Sequence, residues 1–239
     1  MSNITINGME NIGKDNFDNV IVNGSAVFPD GFEAIKVRID GMLKCNGDVV
    51  CSTIRCNGSA KFLAGMNIRE LYCDGSLISS GTEPVTIEQV NCGGAAKFFS
   101  DVTTETIDVS GSFNTESGCN LNAKKVFCDG SIIVNGDINT DMLNADGFIF
   151  ANTINAKKVY INCMPSKKIR KILSKKPDIE ISLINADEIE LINVKAAKVV
   201  GKNITIGAGC VIGTVECSGN LHIDENANVS ETAGDYQTI

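Results

Sequence analysis

Val20-Ile-Val22-Asn-Gly24, Val37-Arg-Ile39-Asp-Gly41, Ile54-Arg-Cys56-Asn-Gly58 and Leu71-Tyr-Cys73-Asp-Gly75 are one phrase written four times. It continues as Val90-Asn-Cys92-Gly-Gly94, Ile107-Asp-Val109-Ser-Gly111, Val126-Phe-Cys128-Asp-Gly130 and Leu143-Asn-Ala145-Asp-Gly147. The successive glycines fall 17, 17, 17, 19, 17, 19 and 17 residues apart. Apolar residues alternate with polar ones, as in a strand with one buried face. The Asn-Gly, Asp-Gly and Ser-Gly pairs that close each phrase are turn signals, and they lead to an expectation of glycine at positive φ.

A second short strand follows most turns, as in Ser25-Ala-Val-Phe28, Ser59-Ala-Lys-Phe62 and Ser131-Ile-Ile-Val134. A third apolar patch then leads into the next phrase, as in Ala34-Ile35, Met66-Asn67-Ile68 and Leu121-Asn122-Ala123. Three short faces in about 17 residues make one coil. Because the same strand returns at the same point, equivalent strands lie parallel and stack, each coil satisfying the backbone of its neighbours. The fold read from this is all-β, a single-stranded parallel β-helix, or β-solenoid. Coil starts near residues 20, 37, 54, 71, 90, 107, 126, 143, 159, 189, 199 and 215 give about 12 coils of 17–19 residues. At ~4.8 Å per coil the rod is about 55 Å long.

The regular run is expected over 20–163. Residues 1–19 read as a degenerate first coil or a cap, since Ile4-Thr-Ile6-Asn-Gly8 echoes the phrase. Residues 164–182 break the pattern with Lys167, Lys168, Arg170, Lys171, Lys175 and Lys176 against Asp178 and Glu180. Ser166 can cap a short helix there, with Ile169, Ile172 and Leu173 along one side and Pro177 to stop it. Coils resume over 183–223, where Ile204 to Val215 has the look of six-residue units. Residues 224–239 read as a polar tail.

The chain has no Trp, 5% aromatic residues and 23 Gly among 239 residues, so Val, Ile, Leu, Cys and Ala are expected to fill a narrow interior. Its net charge of −8 opposes nucleic-acid binding, which depends on cations neutralising phosphates. No apolar run is long enough to span a bilayer, and the start lacks the basic and apolar stretches of a signal peptide. The expected location is cytoplasmic, with peripheral membrane contact as an added option. Ten cysteines occur without any Cys-x-x-Cys pair. Cys56, Cys73, Cys92, Cys128 and Cys217 fill the third position of the phrase, where thiols serve as small buried hydrophobes. A redox or metal ladder is the sharper alternative, and no neighbouring ligand supports it.

No catalytic constellation assembles. His222 is the single histidine, the turn aspartates are explained by backbone geometry, and no phosphate-binding Gly-rich loop occurs. The expectation is a non-enzyme without cofactor or metal.

The recurring phrase with its Gly-Ser step, in Val22-Asn-Gly24-Ser25, Cys56-Asn-Gly58-Ser59, Cys73-Asp-Gly75-Ser76 and Cys128-Asp-Gly130-Ser131, resembles the bactofilins. The likeness covers most of residues 20–223. It implies a right-handed β-helix that polymerises end to end without nucleotide and supports envelope, morphogenesis or motility machinery. This chain departs by its greater number of coils, its basic insertion and its lack of a short apolar membrane-targeting start.

Two readings follow. In the first, the chain is a scaffold that partners itself through open ends, with Val20, Val22, Leu221 and Ile223 as contact residues. In the second, it is an adaptor whose sides, or whose Lys167, Lys168, Arg170, Lys171, Lys175 and Lys176, bind a protein partner or an anionic membrane.

Overall fold

The computed structural model describes residues 2–163 and 181–239. Among them twenty-five strands form a 16-stranded and a 9-stranded sheet, with every pairing parallel. Together they wind into a three-faced β-solenoid of about thirteen turns.

One coil shows how the sequence makes the shape. Strand β7 (Val49–Cys56) points Val49, Cys51, Ile54 and Cys56 inward, and the alternation slips at Ser52-Thr53. That slip is a corner. Pairing with β5 (Phe32–Ile39) runs Ala34 to Cys51 and then Lys36 to Thr53, skipping one residue on each strand. The long strand therefore supplies a first and a second face. After Asn57-Gly58, β8 (Ser59–Phe62) supplies the third, with Ala60 and Phe62 inward. The 19-residue repeats lengthen one corner only, between the third face and the next first face. The inward step there goes from Ser79 to Val85 and from Thr115 to Leu121, against Phe62 to Met66 in a 17-residue repeat.

Coils tighten after the insertion. In β21 (Ile181–Ile192) the inward residues Ile181, Ile184, Ala186, Ile189 and Leu191 stack on Ala196, Val199, Gly201, Ile204 and Ile206 of β22 (Lys195–Ile206). The unit is five residues per face, not the six suggested by the sequence, and a bulge interrupts the register with β23 (Val211–Ile223).

Of the two expectations for the N-terminal segment the coil holds, and the C-terminal end extends beyond its expected limit. Strands β1 (Ser2–Ile6) and β2 (Met9–Asn11) pair with β3 (Asn16–Val22) and β4 (Ser25–Phe28), so residues 2–15 form a first coil and β3 opens the second. Residues 224–239, read as a polar tail, carry β24 (Asn228–Ala233) and β25 (Gln237–Thr238), which pair with β23. An end coil has water on one side and needs fewer apolar residues, so its sequence looks like a tail. Strand β21 begins at Ile181, so 181–182 belong to the solenoid. The helix expected within the insertion falls on residues 164–180, outside the described residues.

The glycine column has a cause other than the one expected. Among the described residues positive φ is confined to Gly31, Gly118, Gly209, Gly234 and Asn193, none of them a phrase glycine. A Cβ on Gly41 would lie 2.0 Å from the Gly24 carbonyl oxygen, and one on Gly75 2.1 Å from that of Gly58. The same contact, at up to 2.3 Å, recurs through Gly147. Glycine is required because each turn passes directly over the carbonyl of the turn below. Gly8 begins the column with nothing within 4 Å.

The interior also differs from the expected Val, Ile, Leu, Cys and Ala filling. Phe28, Phe32, Phe62, Phe98 and Phe113 are its largest fully buried side chains. Phe32 stands on the first face; on the third face the other four belong to a checkerboard. Ala26/Phe28, Leu43/Cys45, Ala60/Phe62, Leu77/Ser79 and Ala96/Phe98 alternate large and small from coil to coil, and Phe113/Thr115 continues the alternation. Phe62 and Phe98 thus each lie between two small residues, Cys45 and Ser79 for the first and Ser79 and Thr115 for the second, which fills the prism without overlap.

Cys56, Cys73, Cys92 and Cys128 lie in one column of the second face, each at most 2% exposed. Cys217 is equally buried but stands on the first face, beside Gly201. Burial pushes the Cys45 and Cys51 thiols up to about 11 and Cys128 up to about 12. Cys56 is held below the ordinary thiol value by its hydrogen bond with Cys73, yet it is fully buried, so access rather than ionisation limits its reaction. Cys119 and Cys163 alone among the ten are not buried. We expect two thiols to react with an alkylating reagent in the native protein and ten after denaturation. Native labelling of Cys56 or Cys73, read by mass spectrometry, would contradict this packing.

The same shifts set an alkaline limit. An unfolded thiol ionises around its ordinary value of 9.0, whereas Cys45, Cys51 and Cys128 keep their protons to about 11, 11 and 12. Their contribution is complete below 9.0 and is lost as pH rises through the folded values. Thermal midpoints should fall across that window, and less steeply in Cys45→Ala/Cys51→Ala. A flat profile would count against the burial.

Candidate assembly surfaces

Each end of the solenoid is a coil paired on one side only. At the N-terminal end β1 aligns Ile4 with Val20 and Ile6 with Val22, and its other edge meets no strand among the described residues. Ile6 is fully buried, Ile4 and Ile12 are partly buried against the core, and Met9 is 86% exposed. Side-chain ladders run down to this end. Asn19 Nδ2 donates to Asn3 Oδ1, and Asn23 Nδ2 to Asn7 Oδ1, each at 2.7 Å. The amide nitrogens of the lowest rungs, Asn3 and Asn7, have no acceptor among the described residues.

At the C-terminal end β24 and β25 close the stack, with Ile223, Ala227, Val229 and Tyr236 partly buried over the core. The Tyr236 hydroxyl lies 2.9 Å from that of Thr232. Asp224, Glu225, Glu231 and Asp235 surround this coil, and no Lys or Arg occurs between 224 and 239. The backbone N–H of Asn226, 2.8 Å from Asp224 Oδ1, holds that carboxyl below its ordinary range.

The expected contact residues lie one coil inside these surfaces. Val20 and Val22 are fully buried beneath the first coil, Leu221 is 2% exposed beneath the last, and Ile223 is partly buried. Sequence reading allowed a degenerate first coil but missed the last one, because each end coil keeps only fragments of the phrase. Ile4-Thr-Ile6-Asn-Gly8 was the one available signal. His222 lies outward beside the last coil, with Nδ1 2.8 Å from the Ile239 carbonyl oxygen. Lys167, Lys168, Arg170, Lys171, Lys175 and Lys176 lie outside the described residues. The chain leaves the described solenoid at Cys163, whose N–H bonds the Ile192 carbonyl, and rejoins it where Ser182 N–H bonds that of Asn152.

The sides carry further structure. One residue per coil occupies the corner between the first and second faces, and from Glu105 onward its charge alternates: Glu105, Lys124, Asp141, Lys157, Asp187, Lys202. Lys124 pairs with Glu105, and Lys157 with Asp141 at 2.7 Å. These pairs are exposed and worth at most ~1 kcal/mol each. At the same corner and on the adjoining first face, Ile35 and Val50, 45% and 49% exposed, line a groove of about 310 Å³ with Asn67, Arg69 and Glu88. No helix of the described residues is long and apolar enough to cross a membrane.

An uncharacterized protein of Bacillus subtilis strain 168, YhbE, is 35% identical over 83 residues, which is 35% of this chain and 35% of that protein. The match thus spans about a third of the relative's length. No family model matches the chain. No solved structure matches it.

Proposed function

We propose that the protein is a structural scaffold of the bactofilin kind, assembling with copies of itself through its end coils without nucleotide. The observation that carries this reading is the pair of one-sided end coils. β1 and β2 at one end, and β24 and β25 at the other, present free strand edges over apolar residues, with no helix among the described residues to cover them. Solenoids that remain single close such ends with polar caps.

Electron microscopy and sedimentation test this. The wild type should form elongated assemblies, and Ile4→Lys or Val229→Lys should reduce them to a single small species. These positions are only partly buried, so the substitutions leave the inner stack intact, which a charge at Leu221 would not. Four carboxylates without a cation at the C-terminal coil repel whatever acidic surface approaches, so assembly should increase with ionic strength. One small species at every concentration and salt level would defeat the proposal. That outcome would favour the second reading, an adaptor that engages a protein through the exposed Ile35 and Val50 groove.

A further inference from the structure

The chain is acidic, yet residues 34–62 are not. Residues 34–62 hold Lys36, Arg38, Lys44, Arg55 and Lys61 against Asp40 and Asp48, a net +3 within a chain of −8. Three of those cations share one surface. Lys36 and Arg38 flank Val37 on the outward side of the second face, and Arg38 lies in register with Arg55 on the next strand. All three are exposed around a cleft of about 340 Å³, also lined by Asn19, Thr53 and Glu70.

Like charges directly opposite across a parallel pair destabilise it, so an in-register Arg38–Arg55 step needs compensation. The protein provides little. Asp40 accepts from Arg38 Nε at 2.7 Å, and the two terminal nitrogens of Arg38 have no acceptor among the described residues. Arg55 has no carboxylate partner there, and its guanidinium lies 4.5 Å above the Tyr72 ring. A guanidinium held over a ring by its charge still has its N–H donors available to an acceptor. Lys36 has no ion pair among the described residues. Glu70, the acid within the cleft, is engaged by Arg69 and Thr53, each at 3.4 Å.

The geometry points to an oxyanion site at Lys36, Arg38 and Arg55 that takes a phosphate group, whether from a soluble phosphate ester or from a lipid headgroup. Two guanidinium forks and an ammonium match the charge and the multiple acceptors of a phosphate better than those of a single carboxylate. This inference stands independently of self-assembly.

The test uses the full chain with inorganic pyrophosphate in calorimetry at fixed ionic strength. In parallel, the chain is sedimented with phosphatidylcholine vesicles with and without phosphatidic acid. R38Q/R55Q removes the forks, and K125Q/K202Q makes the same charge change outside the cleft. Far-UV circular dichroism establishes that both variants are folded. The expected result is binding that R38Q/R55Q weakens at least tenfold and K125Q/K202Q leaves within twofold. If pyrophosphate binds, the group is soluble; if only phosphatidic acid vesicles bind, it is a headgroup. Either result supports the site. Wild-type protein that binds neither, or equal loss in both variants, overturns it.

Discussion

Gly75→Ala should cost the protein roughly 3–5 kcal/mol, while Gly8→Ala should leave stability within about 0.5 kcal/mol of wild type. Both substitutions add one methyl group to the same position of the same phrase. At Gly75 the new Cβ lies 2.1 Å from the Gly58 carbonyl oxygen, and only a shift of backbone can relieve it. At Gly8 it enters open space. Neither glycine has a left-handed φ, so backbone strain does not enter the comparison. Because each coil contacts only its neighbours, the damage should be local. Gly75→Ala is expected to weaken the stack between the coils of Gly58 and Gly75 and to broaden or split the melting transition. Equal effects at the two positions, read by urea denaturation, would show that the column is not held by close passage. In assemblies the comparison gains a second use. If another copy covers the N-terminal coil, Gly8→Ala should reduce assembly while sparing the fold.

Phe98→Ala should be nearly as damaging, at about 3–5 kcal/mol, because a fully buried ring leaves a cavity that stacked strands cannot collapse to fill. Phe98 packs on Phe113 with ring centroids 5.3 Å apart, and it covers Ser79 and Thr115 in the coils on either side. Its small neighbour behaves in the opposite way. The Ser79 hydroxyl is buried without a hydrogen-bond partner, so Ser79→Ala should be neutral or stabilising by about 1 kcal/mol. Ser79→Phe would set a third ring between Phe62 and Phe98 and should be destabilising despite its apolarity. The trio can be measured by hydrogen exchange of β10 (Ser76–Ser79) and its neighbours. Tolerance of Ser79→Phe would remove the checkerboard as an explanation of the packing.

The sequence revealed the solenoid through one column. Positions 54, 56 and 58 and their equivalents are constrained from both sides, by the core and by the adjacent turn, so they repeat visibly. The buried thiols followed from the same column. The reason for the glycines did not, because Asn-Gly is also a turn signal and only the stacked backbone distinguishes close passage from positive φ. The third face was legible in principle, since Ala-x-Phe and Leu-x-Cys or Leu-x-Ser alternate along the chain. Comparison of single coils concealed it, because it repeats over two. The end coils were the least legible part of the candidate surface. Half solvated, they retain Ile4, Ile6 and Val229 but little of the phrase. The corner charges and the Arg38–Arg55 step arise from residues a full coil apart, which no local motif connects.

The checkerboard also gives the solenoid a parity. Excising residues 32–48 removes one coil and brings Phe28 over Phe62 and Ala26 over Ala60, a collision beside a void. Excising residues 32–65 removes two coils and sets Ala26/Phe28 against Leu77/Ser79, restoring the alternation in a rod ~10 Å shorter. Over these coils the protein should therefore lengthen or shorten in pairs of turns, as brickwork keeps its bond only when courses are removed two at a time.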